Sequence, residues 1–355
     1  MTTATTTTGD RPAPADGEPV LEVRDLSVTF TTEGGTVSAV DGVDLTLGRG
    51  EIVGVVGESG CGKSVTAMSL AGLLPRSAEV TGSVELLGRQ LRGAPPAQLR
   101  AVRGNEIAYI FQEPMSSLNP VLTVGRQVSE VLQVHERMSR ARARERAVEL
   151  LRLVGIPSPE RRVRQYPHEL SGGMRQRVMI AMAVACDPTV LVADEPTTAL
   201  DVTVQAGILD VLRGLRDRLG TSILVITHDL GVIADVADRV VVMYAGRVVE
   251  RAGVEELFVH PRHHYAAGLL SASPTPGRYA AADDRLQEIP GLVPTLAEQP
   301  DACTFADRCP AATDRCRSAA PPLAELDPGS GHEVACWHPR GSTPTTDHPA
   351  GEEDA

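Results

Sequence analysis

Lysine is almost missing from this 355-residue chain. Lys63 is the only one, and every other basic side chain is arginine. Aromatic residues are scarce too, at 3% with a single tryptophan, so a core must be built from Val, Leu, Ala and Ile. No apolar run approaches the ~18 residues of a membrane-crossing helix; Val178 to Cys186, among the longest, is too short. The first residues, Met1 to Thr8, have neither basic residues nor an apolar core, which excludes a secretory signal there. A cytosolic setting is expected, with cysteines reduced or metal-bound rather than paired. Positive charge is also lacking: the formal net charge is -12, which argues against a general nucleic-acid partner. The length suggests about two domains.

The lone lysine marks the stretch that organises the chain. Gly57-Glu58-Ser59-Gly60-Cys61-Gly62-Lys63-Ser64 fits the P-loop pattern G-x-x-x-x-G-K-[ST]. The apolar run Glu51–Val56 precedes it as a buried strand, and Val65–Leu74 follows as a helix. Three glycines let successive N–H groups turn inward around an anion. The helix N-terminus adds its positive end. Lys63 then bridges the outer phosphates and the Ser64 hydroxyl ligates Mg²⁺. A compact ammonium fits inside such a loop where a planar guanidinium does not.

Residues 1–18 are Thr-, Pro- and Ala-rich and expected to be disordered, as is the tail 341–355. Strands are expected over 20–30 and 36–47, then at 106–111, and a helical pattern over 124–156. Arg137, Arg140, Arg142, Arg144 and Arg146 in that pattern read as a solvated helix face. Beyond Leu170, strands at 189–193 and 222–227 alternate with helices at 203–219 and 231–238. Residues 239–250 read as a hairpin. Such alternation predicts a mostly parallel sheet flanked by helices. After about residue 256, Pro and Cys become frequent and the periodicity is lost. A second, loop-rich unit is expected over 257–340.

Two further constellations belong with a P-loop. Asp194-Glu195 ends an apolar strand. There Asp194 serves to hold Mg²⁺ and Glu195 to polarise the attacking water. Leu170-Ser171-Gly172-Gly173-Met174-Arg175-Gln176 opens a helix and makes a second anion site without a lysine. It reads as a cap for a phosphate supplied from elsewhere. One P-loop and one capping loop per chain suggest a head-to-tail pair with each nucleotide sandwiched between two subunits.

With these motifs the chain resembles an ATP-binding cassette (ABC) subunit over residues 20–250. Leu170-Ser171-Gly172-Gly173 is similar to that superfamily's signature, with Gln176 in the same segment. Gln112 is similar to its Q-loop glutamine, Asp201 to its D-loop aspartate and His228 to its switch histidine. The resemblance implies an α/β fold with a mostly parallel sheet, added antiparallel strands and a helical subdomain at about 113–170. It implies ATP and Mg²⁺ as ligands. Gly57, Ser59, Gly60, Cys61, Gly62, Lys63 and Ser64 then hold the nucleotide, and Ser64, Gln112 and Asp194 the Mg²⁺. Glu195, His228 and Gln112 act in hydrolysis, and Ser171, Gly172, Gly173 and Gln176 face the partner's nucleotide. Phe30 is the best match to the aromatic residue that stacks on adenine.

Finer resemblance points to one branch. Gln112–Pro120, Asp194–Gln205 and Ile289–Pro294 look like oligopeptide, dipeptide and nickel importers, although His264 stands where that branch often has proline. The resemblance implies an ATP-hydrolysing subunit on the cytoplasmic side of a membrane. Its partners would be a second cassette, two transmembrane permease subunits and an extracytoplasmic binding protein. Peptide is the expected cargo, with nickel or another small solute as the alternative. A soluble ABC ATPase acting on DNA or ribosomes fits less well. DNA-repair relatives carry a long coiled coil between P-loop and signature, and ribosome-acting ones carry two cassettes per chain. Exporters usually fuse the cassette to a membrane domain.

Cys303, Cys309, Cys316 and Cys336 remain, spaced x5, x6 and x19. Their segment has few apolar residues for a core, so a metal centre is expected to hold it together. Zinc sites usually show a C-x2–4-C knuckle, which is absent. A [4Fe–4S] cluster takes four thiolates at varied spacing, and the importer branch is known for one. The expectation is therefore a [4Fe–4S] cluster, with Zn²⁺ as the alternative and free thiols as the third reading.

Overall fold

The computed structural model describes residues 19–111, 118–198, 200–272 and 288–341. The two expected disordered tails fall outside them, except at Gly341. So does Gln112.

The chain opens with strands β1 (Leu21–Thr32), β2 (Gly35–Leu47) and β3 (Ile52–Val56), followed by β4 (Ala78–Leu86) and β5 (Arg89–Gln90). β2, β1, β4 and β5 lie in that order as an antiparallel sheet. Leu21, Val23, Leu26 and Val28 of β1 all point inward. The side chains alternate until Asp25, which takes a positive φ of 48° where the pairing shifts register.

The larger sheet is built on β3. With β6 (Ile107–Ile110), β7 (Val190–Asp194), β8 (Ser222–Thr227) and β9 (Arg239–Tyr244), it forms a parallel block. Its apolar runs are continuous because both faces are covered. Ile52 and Val56 pack into one core with the helices, while Val53 and Val55 pack into another with the first sheet. β7 and β8 divide in the same way: Leu191, Ala193, Ile223 and Val225 on one side, Val190, Val192, Leu224 and Ile226 on the other. Each Val, Leu or Ile side chain so buried contributes about 1.5–3 kcal/mol relative to exposure.

The hairpin forms as expected: β9 turns through Ala245 and Gly246 into antiparallel β10 (Arg247–Gly253). β11 (Ala324–Glu325) and β12 (Glu333–Val334) then extend the same sheet, with Val334 opposite Glu250. The cysteine-bearing segment thus adds strands to the main sheet.

The pattern over 124–156 resolves into two helices, Val124–His135 and Arg140–Leu153. The break falls at Arg137, whose φ is 51°, and Ser139 caps the second helix on Arg142 N–H. Both helices bury one stripe, through Val128, Leu132, Ala143, Ala147 and Leu150. Arg137, Arg140, Arg142 and Arg144 are exposed. The helix after the P-loop is shorter than its pattern: it spans Lys63–Ser69 and closes where Gly72 takes φ 63°. Past residue 256, His264–Ala272 is helical, with Tyr265, Ala266 and Ala267 buried.

Candidate active site

The P-loop joins β3 to the helix at Lys63. Gly57, Gly60 and Gly62 have φ of 155°, 83° and 101°. A Cβ on Gly57 would lie 2.3 Å from the Met243 carbonyl oxygen, and one on Gly62 2.5 Å from that of Ala39. Glycine is therefore required by space as well as by conformation. Lys63 is buried, and its Nζ donates to the Gly57 and Glu58 carbonyls at 2.7 and 3.0 Å. Those bonds hold the ammonium at the loop. Cys61 is fully buried with its sulfur 3.7 Å from Lys63 Nζ, so only its backbone is available to a ligand.

Above the loop lies a cleft of about 580 Å³ lined by Gly57, Ser59, Gly60, Gly62, Lys63, Ser64, Glu195 and His228 among others. The strand order explains the convergence. β3 lies beside β8, and β8 beside β7, all parallel, so their C-terminal ends deliver the P-loop, His228 and Asp194-Glu195 to one edge. Glu195 has φ 51°, and its N–H donates to Ile226 O at 2.8 Å. Its Oε1 sits 2.8 Å from His228 Nδ1, and its Oε2 accepts from the Thr198 hydroxyl at 2.5 Å.

Asp194 is nearly buried. Burial raises its carboxyl above the ordinary range, while a hydrogen bond from Ser64 acts the other way. Its Oδ1 is buried without a protein partner. A hydroxyl and a carboxylate oxygen with spare capacity, both beside a phosphate cradle, are the oxygen donors Mg²⁺ takes. The residues present fit that ion.

Ser171 caps the helix Gly172–Ala183, accepting from Met174 N–H at 3.4 Å. A Cβ on Gly173 would lie 2.4 Å from Val204 Cγ1, so the signature helix abuts the one that Asp201 starts. Asp201 Oδ1 caps that helix, Val202–Leu219, on Val204 N–H at 2.9 Å. None of residues 170–176 lines the P-loop cleft.

Two expected site residues sit elsewhere. Gln176 is 1% exposed and its amide donates to Pro196 O at 2.7 Å. It ties the signature helix to the turn after Glu195, and its side chain is not open to a partner's nucleotide. Phe30 packs against the core under the first sheet and does not line the cleft.

Three contacts were not foreseen. The Tyr265 hydroxyl accepts from Glu58 N–H at 2.7 Å, Arg308 pairs with the Glu58 carboxylate at 2.7 Å, and Leu269 lines the cleft. Local sequence carries no signal for partners 207 and 250 residues apart.

Cys303, Cys309, Cys316 and Cys336 lie in one unit and form no disulfide with one another. Cys303 N–H donates to Cys316 O at 2.8 Å. Burial pushes the Cys336 thiol up to about 12, and the other three thiols add to that rise. Among the described residues, however, no three His, Cys, Asp or Glu side chains converge closely enough to hold a metal ion. This geometry supports neither the expected cluster nor a zinc ion. No helix among the described residues is long and apolar enough to cross a membrane.

Comparison with known proteins gives a consistent picture. Residues 40–198 match the ABC transporter family, and residues 249–316 match the oligopeptide/dipeptide transporter C-terminal region. The chain is 49% identical over 320 residues to the oligopeptide transport ATP-binding protein AppD of Bacillus subtilis, covering 90% of this chain and 96% of that one. It is 54% identical over 319 residues to the oligopeptide transport ATP-binding protein OppD of Mycobacterium tuberculosis, covering 90% of this chain but 52% of that longer one. Among solved structures, a dimeric ATP-binding cassette in a post-hydrolysis state, bound to ADP and phosphate, superposes with a TM-score of 0.60. It is 29% identical and covers 66% of this chain and 98% of that one.

Proposed function

The chain belongs to the oligopeptide/dipeptide group of ABC transporter ATP-binding proteins, and from that premise we propose that it hydrolyses ATP to drive peptide import. The observation that carries this reading is the single cleft that joins the Lys63 loop to the Glu195–His228 pair.

The roles follow from position. The P-loop N–H groups and Lys63 hold the β- and γ-phosphates. Glu195 accepts a hydrogen bond from water and aims it at the γ-phosphorus, and the bond to the leaving ADP oxygen breaks opposite to it. In this reading the contact with His228 orients the Glu195 carboxylate, and the imidazole is left to hydrogen-bond the γ-phosphate. When bound, Mg²⁺ neutralises developing phosphate charge, with Ser64 and Asp194 as its protein ligands; Gln112 is the third proposed contact. Catalysis is then mostly positioning and charge stabilisation.

The signature segment lies outside its own chain's cleft, which supports a head-to-tail pair. Ser171, Gly172 and Gly173 then cap the partner's nucleotide. Two permease subunits and an extracytoplasmic binding protein complete the importer. The chain sits peripherally on the cytoplasmic face. Closure of the cassette pair on ATP turns the permease, and hydrolysis reopens it. The four C-terminal cysteines are proposed as ligands of a [4Fe–4S] cluster with a structural or redox-sensing role. What supports this reading is the sequence: four cysteines gathered in one Pro-rich segment with few apolar residues to form a core. A four-iron cluster also spaces its thiolates more widely than one tetrahedral zinc ion does.

The test of import is uptake of labelled peptide into vesicles carrying the assembled transporter. ATP-dependent accumulation, abolished by Lys63→Ala, is expected. Accumulation of nickel but of no peptide would overturn the peptide reading.

A further inference from the structure

The P-loop cleft is short of positive charge. Among the described residues that line it, Lys63 is the one lysine or arginine, and Glu58 and Glu195 line it too. A polyphosphate entering this cleft meets more negative charge than positive. Glu58 is the anomaly, because it lies inside the phosphate loop itself.

Its counter-charge arrives from 250 residues away. Arg308 stands in the cysteine-bearing segment, one residue before Cys309. Its two terminal nitrogens meet the two Glu58 carboxylate oxygens at 2.7 and 3.0 Å, the two-point geometry that a guanidinium favours. The Arg308 side chain is 7% exposed and that of Glu58 30%, so the arginine is shielded from solvent while the carboxylate is part-buried. The remaining guanidinium donors are occupied by the Pro290 and Ile289 carbonyls at 2.7 and 3.1 Å and by the Tyr244 hydroxyl at 3.4 Å. The head also lies near the Tyr244 and Phe305 rings. This arginine is fixed in place.

A second contact acts on the same loop residue. The Tyr265 hydroxyl takes the Glu58 N–H, and the Glu58 carbonyl accepts from Lys63 Nζ at 3.0 Å. The segment after β10 therefore holds both the peptide and the side chain of Glu58.

We propose that Arg308 is a positioning residue for nucleotide binding: it neutralises Glu58 and keeps that carboxylate off the phosphates, so the loop binds ATP at full affinity only with Arg308 of the C-terminal unit in place. This rests on the ATP-binding role given above.

The test is the Kd of MgATP for the full chain, measured by calorimetry at low and high salt. Arg308→Met is expected to weaken binding by on the order of tenfold, more at low salt, because one unpaired charge then faces the phosphates. The double variant Glu58→Gln/Arg308→Met is expected to recover most of that loss, which a merely structural role would not allow. Arg308→Met binding as wild type does, or a double variant as weak as the single one, would overturn the proposal. If Arg308→Met does not fold, Arg308→Lys loses the two-point geometry but keeps the charge, and because the proposal rests on charge it is expected within about threefold of wild type; a tenfold loss there overturns it as well. Wild-type protein that binds no MgATP would instead strike the ATP-binding role itself.

Discussion

Glu195 Oε1 lies 2.8 Å from His228 Nδ1 although the two residues are 33 positions apart. They meet because β7 and β8 are parallel neighbours, with Asp194 opposite Ile226, so both residues leave the sheet at the same edge. Glu195 is nearly buried while the His228 side chain is 63% exposed. The carboxylate is thus held from below by Thr198 and from the cleft side by the imidazole. A carboxylate so held has little conformational freedom left to lose, as the proposed role of Glu195 requires.

The signature helix gives a prediction about shared sites. Gly173→Asp places side-chain atoms against Val204, since even a Cβ would lie 2.4 Å from its Cγ1. A stability loss of about 1–3 kcal/mol is expected from overpacking. The isolated variant should still bind ATP through Lys63, while the cassette pair fails to close and hydrolysis falls. Size-exclusion chromatography with ATP under non-hydrolysing conditions reads the pairing. Loss of ATP binding by the folded variant subunit would count against the head-to-tail arrangement.

Acid stability should depend on His263. Its ring is buried, with the Tyr265 N–H donating to Nδ1 at 3.0 Å, and burial depresses its pKa to about 3. The unfolded chain takes up a proton near pH 6.5 that the folded chain refuses. Stability from this group is therefore full above that pH and falls by about 1.4 kcal/mol per pH unit below it, until the folded value is reached. Urea unfolding at pH 7 and pH 5 should show a steeper acid loss for wild type than for His263→Gln. Equal losses would remove His263 as the cause.

Much of the fold was legible because β3, β7 and β8 are short apolar runs covered on both faces, and the P-loop and Asp194-Glu195 sit at their ends. Parallel neighbours then have to bring those ends together. The break at Arg137 was not legible, since Val128, Val131 and Leu132 connect to Val148 and Leu151 in one continuous helical pattern. Nor was the inward aim of Gln176, which depends on where the Pro196 carbonyl lies. Phe30 suited adenine by residue type alone, and its packing under the first sheet is a tertiary fact. The Arg308–Glu58 pair spans nearly the whole described chain, so no window of sequence contains it.

The cysteine unit is tested by metal analysis of anaerobically purified protein. Iron and acid-labile sulfide at about four each per chain are expected, with a brown colour that serine at any of Cys303, Cys309, Cys316 or Cys336 abolishes. One equivalent of zinc in colourless protein would select the other metal. Metal-free protein with four titratable thiols would remove both.

The central claim is that Glu195 prepares the attacking water above the Lys63 loop. Glu195→Gln keeps the side chain's size and its contact with His228 but removes the charge that polarises water. The decisive measurement is the ATP turnover of this variant in the assembled transporter, taken with its MgATP affinity. Turnover lower by on the order of 10²–10³-fold at unchanged affinity, with closed pairs accumulating, is the predicted result. Wild-type turnover in the variant would contradict the assignment.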